Sequence, residues 1–209
     1  MATLYPRRMS AIYLLRHGRT EWSENGRHTG RTDIPLTGDG ERLATAAAAT
    51  LRALRGTDAA PALVLSSPRQ RAWRTAKLAG LAVTGTTEDV AEWDYGSYEG
   101  LTTPQIRENV PGWTVWTHPC PGGETAAQVT ERAGRVLATA RAALDRGDVV
   151  IVGHGHFSRA LTAGWIGLDA TKGVHFGLEP AGVTVLGDER GEPQIEYLNV
   201  PPAEPLGTT

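Results

Sequence analysis

Short apolar runs alternate along the chain with longer segments of helical periodicity. Residues 11–15, 62–65 and 149–152 are uninterrupted apolar runs, which is typical of strands buried on both faces. Apolar residues at helical spacing predict helices from about residue 40 to 54 and from 124 to 145. Strands that alternate with helices indicate an α/β fold, and we expect a three-layer α/β/α sandwich around a mainly parallel, open sheet.

Shorter elements follow from local signals. Serine suits a helix cap and proline the first helical turn, so Ser67 and Pro68 predict the start of a helix. The polar, glycine-rich residues 19–38 predict a long loop, a kind of segment that is often functional. We expect a single domain over residues 1–200 and a disordered tail over 201–209. The other predicted elements are helices over 103–109 and 157–166, strands over 183–186 and 194–198, a turn over 188–191 and an irregular region over 88–123.

The composition and net charge of the chain limit the kinds of partner that it can bind. The chain has 209 residues with 21 basic and 23 acidic side chains, so no global field attracts nucleic acid or a membrane surface. No apolar stretch is long enough to span a bilayer or to form a signal-peptide core, and we expect a cytoplasmic protein. Cys120 is the single cysteine, which excludes an internal disulfide and a cysteine-based zinc site. The sequence leaves an oligomer possible and its size unknown.

Polar side chains that can take part in catalysis follow three of the predicted strands. Arg16 and His17 come after the first strand, Arg71 lies early in the helix after the second, and His154 ends the third. In open α/β sheets, ligands bind beyond the carboxyl ends of the strands, so we expect these four groups to lie together.

Two arginines and two histidines in one place would form a pocket for a phosphate dianion. The arginine guanidinium matches phosphate oxygens in pairs, and a neutral imidazole beside such cations can attack phosphorus. Glu92 lies in a segment of aromatic residues and is a candidate proton donor to the leaving oxygen, with Asp94 as its rival.

Each of these residues also has a simpler interpretation. His17 alone could be a hydrogen-bonded histidine at a strand end, and Glu92 alone a surface carboxylate. Arg71 competes with the neighbouring arginines Arg69 and Arg74, since such clusters are usually solvated. His154 and His156 form an H-x-H pair, but no carboxylate cluster accompanies them, so a metal site is not favoured.

Four ordered motifs resemble those of the histidine phosphatase (phosphoglycerate mutase-like) superfamily. The first is Leu-Arg-His-Gly at residues 15–18, followed by Thr20, Trp22, Arg27, Gly30, Asp33, Leu36, Thr37 and Gly40. The others are Ser-Ser-Pro-Arg-Gln-Arg-Ala at 66–72, Glu-Trp-Asp-Tyr-Gly at 92–96 and Val-Ile-Val-Gly-His-Gly at 150–155. The resemblance covers residues 11 to about 166.

The resemblance implies a site without metal or organic cofactor. It implies His17 as the nucleophile, Glu92 as the proton donor, and Arg16, Arg71 and His154 as phosphate ligands. Ser23 stands where the family often has an asparagine that touches the phosphate, and Arg19 replaces a frequent acidic residue. The remaining residues expected to bind substrate are Ser23, Thr29 and Tyr95.

The segment between residues 100 and 124 bears on the substrate. Mutases of the family carry a longer insertion there with paired basic residues, whereas this segment is short and contains Trp113 and Trp116. It resembles the acid phosphatase and sugar-bisphosphatase branch. We therefore expect a phosphomonoesterase acting on a small phosphorylated metabolite, a sugar phosphate or similar. The alternatives are a phosphoglycerate mutase, a broad-specificity acid phosphatase with no single substrate, and a phospho-ligand binding module without turnover.

Overall fold

The computed structural model describes residues 10–203, whose strands form one open sheet. The strand order is β3-β2-β4-β1-β5-β6, with parallel pairs among β1 to β4 and antiparallel pairs for β5 and β6. The predicted α/β fold with a mainly parallel open sheet is therefore confirmed. The strands are β1 (Ile12–Arg16), β2 (Leu63–Ser66), β3 (Gly85–Thr86), β4 (Val149–Gly153), β5 (Val183–Glu189) and β6 (Glu192–Val200).

Helices connect the parallel strands. They are α1 (Glu21–Asn25), α2 (Gly38–Arg55), α3 (Gln70–Leu78), α4 (Thr103–Asn109), α5 (Ala126–Leu144) and α6 (Gly155–Trp165), and single 3-10 turns occupy Glu88–Val90, Gly96–Tyr98 and Ala170–His175. The short helix α1 lies inside the predicted loop 19–38. It forms because the Thr20 hydroxyl accepts the Ser23 N–H while the Ser23 hydroxyl accepts the Thr20 N–H, a reciprocal cap.

Two apolar cores, one on each face of the sheet, produce the three layers. Alternate residues of a strand point to opposite faces, so Ile12 and Leu14 of β1 join the core under α5 and α6. Tyr13 and Leu15 join the core under α2 and α3 on the other face. Burial on both faces is the reason why the central strands are apolar throughout.

The start of α3 differs from the prediction. Ser67 does not cap this helix, which begins at Gln70. The Ser67 hydroxyl accepts the Arg69 N–H at 3.3 Å and lies 2.8 Å from His154 Nε2. Asp33, distant in sequence, accepts the Gln70 N–H at 2.8 Å instead. Ser67 therefore contacts His154 at the end of the neighbouring strand β4, and Asp33, which is distant in sequence, caps α3.

The end of the described chain returns to α2. The Thr50 hydroxyl donates to the Pro201 carbonyl at 3.2 Å and accepts the Ala203 N–H at 2.8 Å. Residues 201–203 are the first of the predicted tail, and residues 204–209 lie outside the described part. Within residues 10–203, no helix combines the length and apolar character needed to cross a membrane.

Candidate active site

Neighbouring strand ends bring His17 and His154 together. Strands β1 and β4 are parallel with Arg16 opposite Gly153, so the residues that follow them leave the sheet side by side. The His17 N–H donates to the Gly153 carbonyl at 2.9 Å, and the two imidazole rings are 5.2 Å apart. His17 and His154 are 137 positions apart in the sequence, and the structure places both at one edge of the sheet. The pattern of polar residues at strand ends predicts this arrangement.

One nitrogen of the His17 ring is fixed by its own loop. Nδ1 lies 2.7 Å from the Gly18 carbonyl, which only accepts hydrogen bonds, so Nδ1 carries the hydrogen. Nε2 then has the free lone pair. Burial, followed by the charges of Arg71 and Arg16, lowers the pKa of His17 well below 6.5. A neutral imidazole in this tautomer can attack phosphorus.

Close packing of the backbone holds this loop in place. A Cβ at Gly18 would lie 2.2 Å from the Gly40 carbonyl oxygen, so any side chain there would push α2 away. The Gly18 N–H also donates to the Thr75 hydroxyl at 3.0 Å. Gly18 is therefore required by space, and it ties the histidine loop to α2 and α3.

Both arginines expected to bind phosphate are anchored to backbone carbonyls. Arg16 donates through one terminal nitrogen to Leu178, and the fully buried Arg71 donates to Thr29, Gly30 and Thr32 at 2.8–3.1 Å. These bonds fix the guanidinium planes without neutralising their charge. A preorganised cation is the group that stabilises charge developing on a phosphoryl oxygen.

Several buried donors at this place lack a protein partner. Among residues 10–203, five buried side-chain nitrogen or oxygen atoms make no hydrogen bond, and three of them are Arg16 Nε, Arg71 Nε and His154 Nδ1. A buried donor without a partner costs roughly 1–3 kcal/mol, so such atoms are uncommon. Three of these unpartnered atoms belong to residues that are predicted to bind phosphate. This fits a site in which a bound anion supplies the missing hydrogen bonds.

His154 is completely buried and neutral. Its Nε2 lies 2.8 Å from the Ser67 hydroxyl, at the end of the neighbouring strand β2. Burial lowers the pKa of His154 well below 6.5, and the nearby Arg71 and His17 act in the same direction. The second histidine is therefore positioned by β2 and kept uncharged.

The Glu92 carboxylate lies at the amino end of α6. Oε1 accepts the Phe157 and Trp93 N–H groups, both at 2.8 Å, and Oε2 accepts the His156 N–H at 3.0 Å. The N–H groups of a first helical turn have no partner within the helix, so a carboxyl oxygen can accept them. Glu92 is thus held rigidly at the edge of the cavity that His17 lines.

A buried arginine supports the segment that carries Glu92. Arg132 of α5 donates to the carbonyls of Asp89 and Ala91 at 2.9 and 2.8 Å, and it forms a paired contact with Glu124 at 2.7 and 2.8 Å. Its guanidinium carbon lies 4.0 Å from the centre of the Phe157 ring. The sequence pattern did not single out Arg132, since it lies on the buried face of an otherwise regular helix.

Asp94, the rival proton donor, has a different environment. Its carboxylate pairs with Arg31 at 2.7 Å and accepts the Gly96 N–H at 3.0 Å. It lines a neighbouring cavity that does not include His17. The geometry therefore favours Glu92 over Asp94.

The cavity at this edge has a volume of about 110 Å³. Ser23, Thr29 and Tyr95 line it, but the protein itself uses their hydroxyls. Ser23 caps α1, Thr29 donates to the Arg27 carbonyl at 3.2 Å, and Tyr95 lies 2.6 Å from His156 Nδ1. The full lining is Arg16, His17, Thr20, Ser23, Arg27, His28, Thr29, Glu92, Tyr95, Gly155, His156, Arg159 and Leu178.

Sequence reasoning missed His28 and Arg159 in this lining. His28 lies 4.7 Å from the Tyr95 ring and 5.2 Å from Trp113, between ring centroids. Arg159 stacks on Trp116 at 4.6 Å and follows His156 by three positions, so both lie on one side of α6. That spacing was the available signal for Arg159, whereas His28 lies in a loop without periodicity. Within the described part of the chain, no group of three or more His, Cys, Asp or Glu side chains is arranged to hold a metal ion.

Comparison with known proteins agrees with this geometry. The sequence profile of the Histidine phosphatase superfamily (branch 1) matches residues 12–201. The chain belongs to this superfamily. An acid phosphatase of Mycobacterium tuberculosis is 48% identical over 189 residues, which are 90% of this chain and 92% of that protein. A sedoheptulose 1,7-bisphosphatase of Saccharomyces cerevisiae is 33% identical over 199 residues, covering 82% of this chain and 72% of the yeast protein.

A solved structure extends this similarity to the fold. The product of the Mycobacterium tuberculosis open reading frame Rv3214 aligns with a TM-score of 0.89 and 47% identity, covering 94% of this chain and 100% of that one. The histidine phosphatase described here is thus a phosphatase enzyme, which excludes the binding module without turnover. Its substrate class is a small phosphorylated molecule.

Proposed function

We propose that this histidine phosphatase hydrolyses phosphomonoesters of small metabolites, sugar phosphates or similar, through a phosphohistidine on His17. The observation that supports this proposal most is that three buried atoms beside a neutral His17, Arg16 Nε, Arg71 Nε and His154 Nδ1, have no partner among residues 10–203. The two arginine N–H groups donate to the phosphoryl oxygens, and His154 Nδ1 does so in the tautomer that carries its hydrogen there, while the phosphorus faces the Nε2 lone pair of His17. Hydrolysis then takes two steps, with transfer to the histidine before transfer to water.

In the first step, His17 Nε2 attacks phosphorus and the bond from phosphorus to the ester oxygen breaks. Arg16 and Arg71 offset the negative charge on the equatorial oxygens of the loose transition state. The leaving oxygen takes the proton of the Glu92 carboxyl and departs as a neutral alcohol. The donated proton requires that the Glu92 carboxyl enters the cycle protonated.

In the second step, a water molecule attacks the phosphohistidine. The Glu92 carboxylate takes one proton from this water as the new bond from oxygen to phosphorus forms. The bond from phosphorus to Nε2 breaks, inorganic phosphate leaves, and His17 and protonated Glu92 are restored. The Gly18 carbonyl holds the Nδ1 hydrogen in both steps, so the reacting nitrogen stays the same.

The position of the segment after α4 supports hydrolysis over mutase chemistry. A mutase must exclude water until a second acceptor oxygen attacks. Trp113 and Trp116 of this segment are buried in the core against His28 and His156 and do not line the cavity, so the segment does not form a lid over it. The acid phosphatase and sugar-bisphosphatase relatives support the same choice.

Leaving-group chemistry tests the role of Glu92. A sugar alkoxide needs a proton to leave, whereas p-nitrophenolate is stable without one. Glu92→Gln should therefore lower kcat/KM for glucose 6-phosphate by about 10²–10⁴-fold and much less for p-nitrophenyl phosphate. The amide of this variant places an NH₂ group against an α6 N–H, so thermal unfolding is measured alongside.

Asp94→Asn is the matched control, since it removes a carboxylate of the same segment outside the cavity of His17. Equal losses on both substrates for Glu92→Gln, with the differential loss in Asp94→Asn, would transfer the proton to Asp94. Conversion of 3- to 2-phosphoglycerate is followed in the same preparation. Conversion faster than phosphate release would make the enzyme a mutase.

A further inference from the structure

Part of the lining of the catalytic cavity has no role in the proposed reaction. Arg16, His17 and Glu92 line the cavity and take part in the reaction, whereas His156 and Tyr95 line the same cavity without a part in it. Trp116 lies against His156 with its ring centroid 5.0 Å away. His156 and Tyr95 are therefore candidates to contact the leaving group of a phosphorylated substrate.

The hydrogen bond between Tyr95 and His156 has a definite direction. Burial raises the pKa of the Tyr95 phenol well above 10, and the charge of Glu92 adds to this, so the phenol keeps its hydrogen. Burial lowers the pKa of His156 well below 6.5, so its ring is neutral and one nitrogen is bare. The phenol therefore donates to Nδ1 across 2.6 Å, and the ring hydrogen is on Nε2.

His156 is also held through its backbone. The His156 backbone N–H donates to Glu92 Oε2 at 3.0 Å, so the imidazole is attached to the residue that gives its proton to the leaving oxygen. Nε2 has no hydrogen-bond partner among residues 10–203, and the ring lines the cavity. An N–H group in the lining of this cavity is a candidate donor to the leaving group of the substrate.

We propose that His156, oriented by Tyr95, donates a hydrogen bond from Nε2 to an oxygen on the carbon next to the ester carbon of the substrate. The site therefore selects leaving groups with a vicinal oxygen, as in polyol and sugar phosphates, over simple alkyl phosphates. This inference rests on the proposed function and deepens it. His156 is the specificity-determining residue, and Tyr95 is a positioning residue that acts through it.

The chemistry of the surrounding side chains fits a neutral polyol. The donor is uncharged, so it discriminates by the presence of a hydroxyl and not by charge. Faces and edges of Tyr95 and His28 provide apolar surface for the C–H groups of a sugar. The Tyr95 phenol gives its hydrogen to His156, so it has none left to donate to the substrate.

Two esters that differ in one hydroxyl provide the test. The hydroxylated ester is propane-1,2-diol 1-phosphate, and its partner without the hydroxyl is propyl phosphate. Their kcat/KM values are compared as a ratio for the wild type and for His156→Leu. The ratio should fall by about three- to tenfold in the variant, which is the contribution of one neutral hydrogen bond. Comparing ratios cancels the intrinsic difference between the two leaving groups.

Tyr95→Phe tests the positioning role, and Tyr98→Phe is its matched control. Tyr98 packs against Trp113 in the same segment but does not line the cavity. We expect Tyr95→Phe to lower the ratio and Tyr98→Phe to leave it at the wild-type value. An unchanged ratio in both His156→Leu and Tyr95→Phe would overturn the proposal.

Nitrogen NMR of the imidazole provides a readout that does not depend on turnover. In the wild type, His156 Nδ1 should be an unprotonated, pyridine-like nitrogen and Nε2 a protonated, pyrrole-like one, and Tyr95→Phe should mix the two forms. A protonated Nδ1 in the wild type would overturn the proposal. If neither ester released phosphate, the proposed function would fail, while this spectrum would still decide the tautomer of His156.

Discussion

His28 makes the stability of this phosphatase depend on pH. The imidazole is packed between Tyr95 and Trp113, and its Nε2 lies 3.2 Å from the Thr103 hydroxyl. Burial lowers the pKa of His28 from 6.5 to about 4, against a smaller opposite effect of Glu99. Above pH 6.5 the folded and unfolded chains are both neutral at this position, and His28 has no effect.

The sign of the dependence follows from which state binds more protons. Between pH 6.5 and about 4 the unfolded chain protonates His28 and the folded chain does not, so acid favours unfolding. At pH 5, which is about 1.5 units below the pKa of the unfolded state, protonation of His28 in the unfolded chain lowers the free energy of unfolding by roughly 2 kcal/mol. The loss becomes constant once the pH is below the pKa of the folded state.

Urea unfolding at pH 7 and pH 5 measures this loss. We expect wild type to lose more free energy between the two values than His28→Phe, with a difference of about 2 kcal/mol. The exposed His175 is the matched control, and His175→Phe should show the wild-type loss. Equal losses in wild type and His28→Phe would contradict the role assigned to His28.

Three further predictions concern the reaction. Arg71→Ala should lower kcat/KM by about 10²–10³-fold, as expected when an electrostatic donor is removed from a preorganised site. Arg74→Ala breaks only a half-exposed ion pair with Glu41 and should change kcat/KM little. A larger loss in Arg74→Ala than in Arg71→Ala would mean that the second motif is misaligned. Rapid quenching of wild type with labelled substrate should trap an acid-labile, base-stable phosphate that is missing in His17→Ala, and equal labelling of both would contradict the role of His17. Turnover should persist in EDTA, since no proposed step uses a metal ion. Loss of turnover in EDTA with recovery on adding a divalent metal would contradict the mechanism.

The apolar pattern along the chain is sufficient to predict the layers of the fold and the edge of the sheet at which the site lies. Parallel strands are buried on both faces, so they must be apolar throughout, and residues 11–15, 62–65 and 149–152 show that pattern directly. The helical spacing of apolar residues gave α2 and α5 to within a few residues. Arg16 ends β1, and His17 and His154 follow the ends of β1 and β4, so the sequence pattern places all three at the carboxyl edge of the sheet, and the pairing of β1 with β4 brings them together.

Only the tertiary structure decided how each polar group is used. Glu92 binds N–H groups 64 and 65 positions away, and His154 contacts Ser67 across 87 positions. Hydrogen bonds between distant residues leave no local pattern, because periodicity reports which face is buried and not which partner a polar atom finds. For the same reason the sequence did not predict the contacts of Ser67, expected to cap a helix, or of Tyr95, expected to bind substrate. Their hydroxyls contact the imidazoles of His154 and His156, which strand β4 and helix α6 bring within reach.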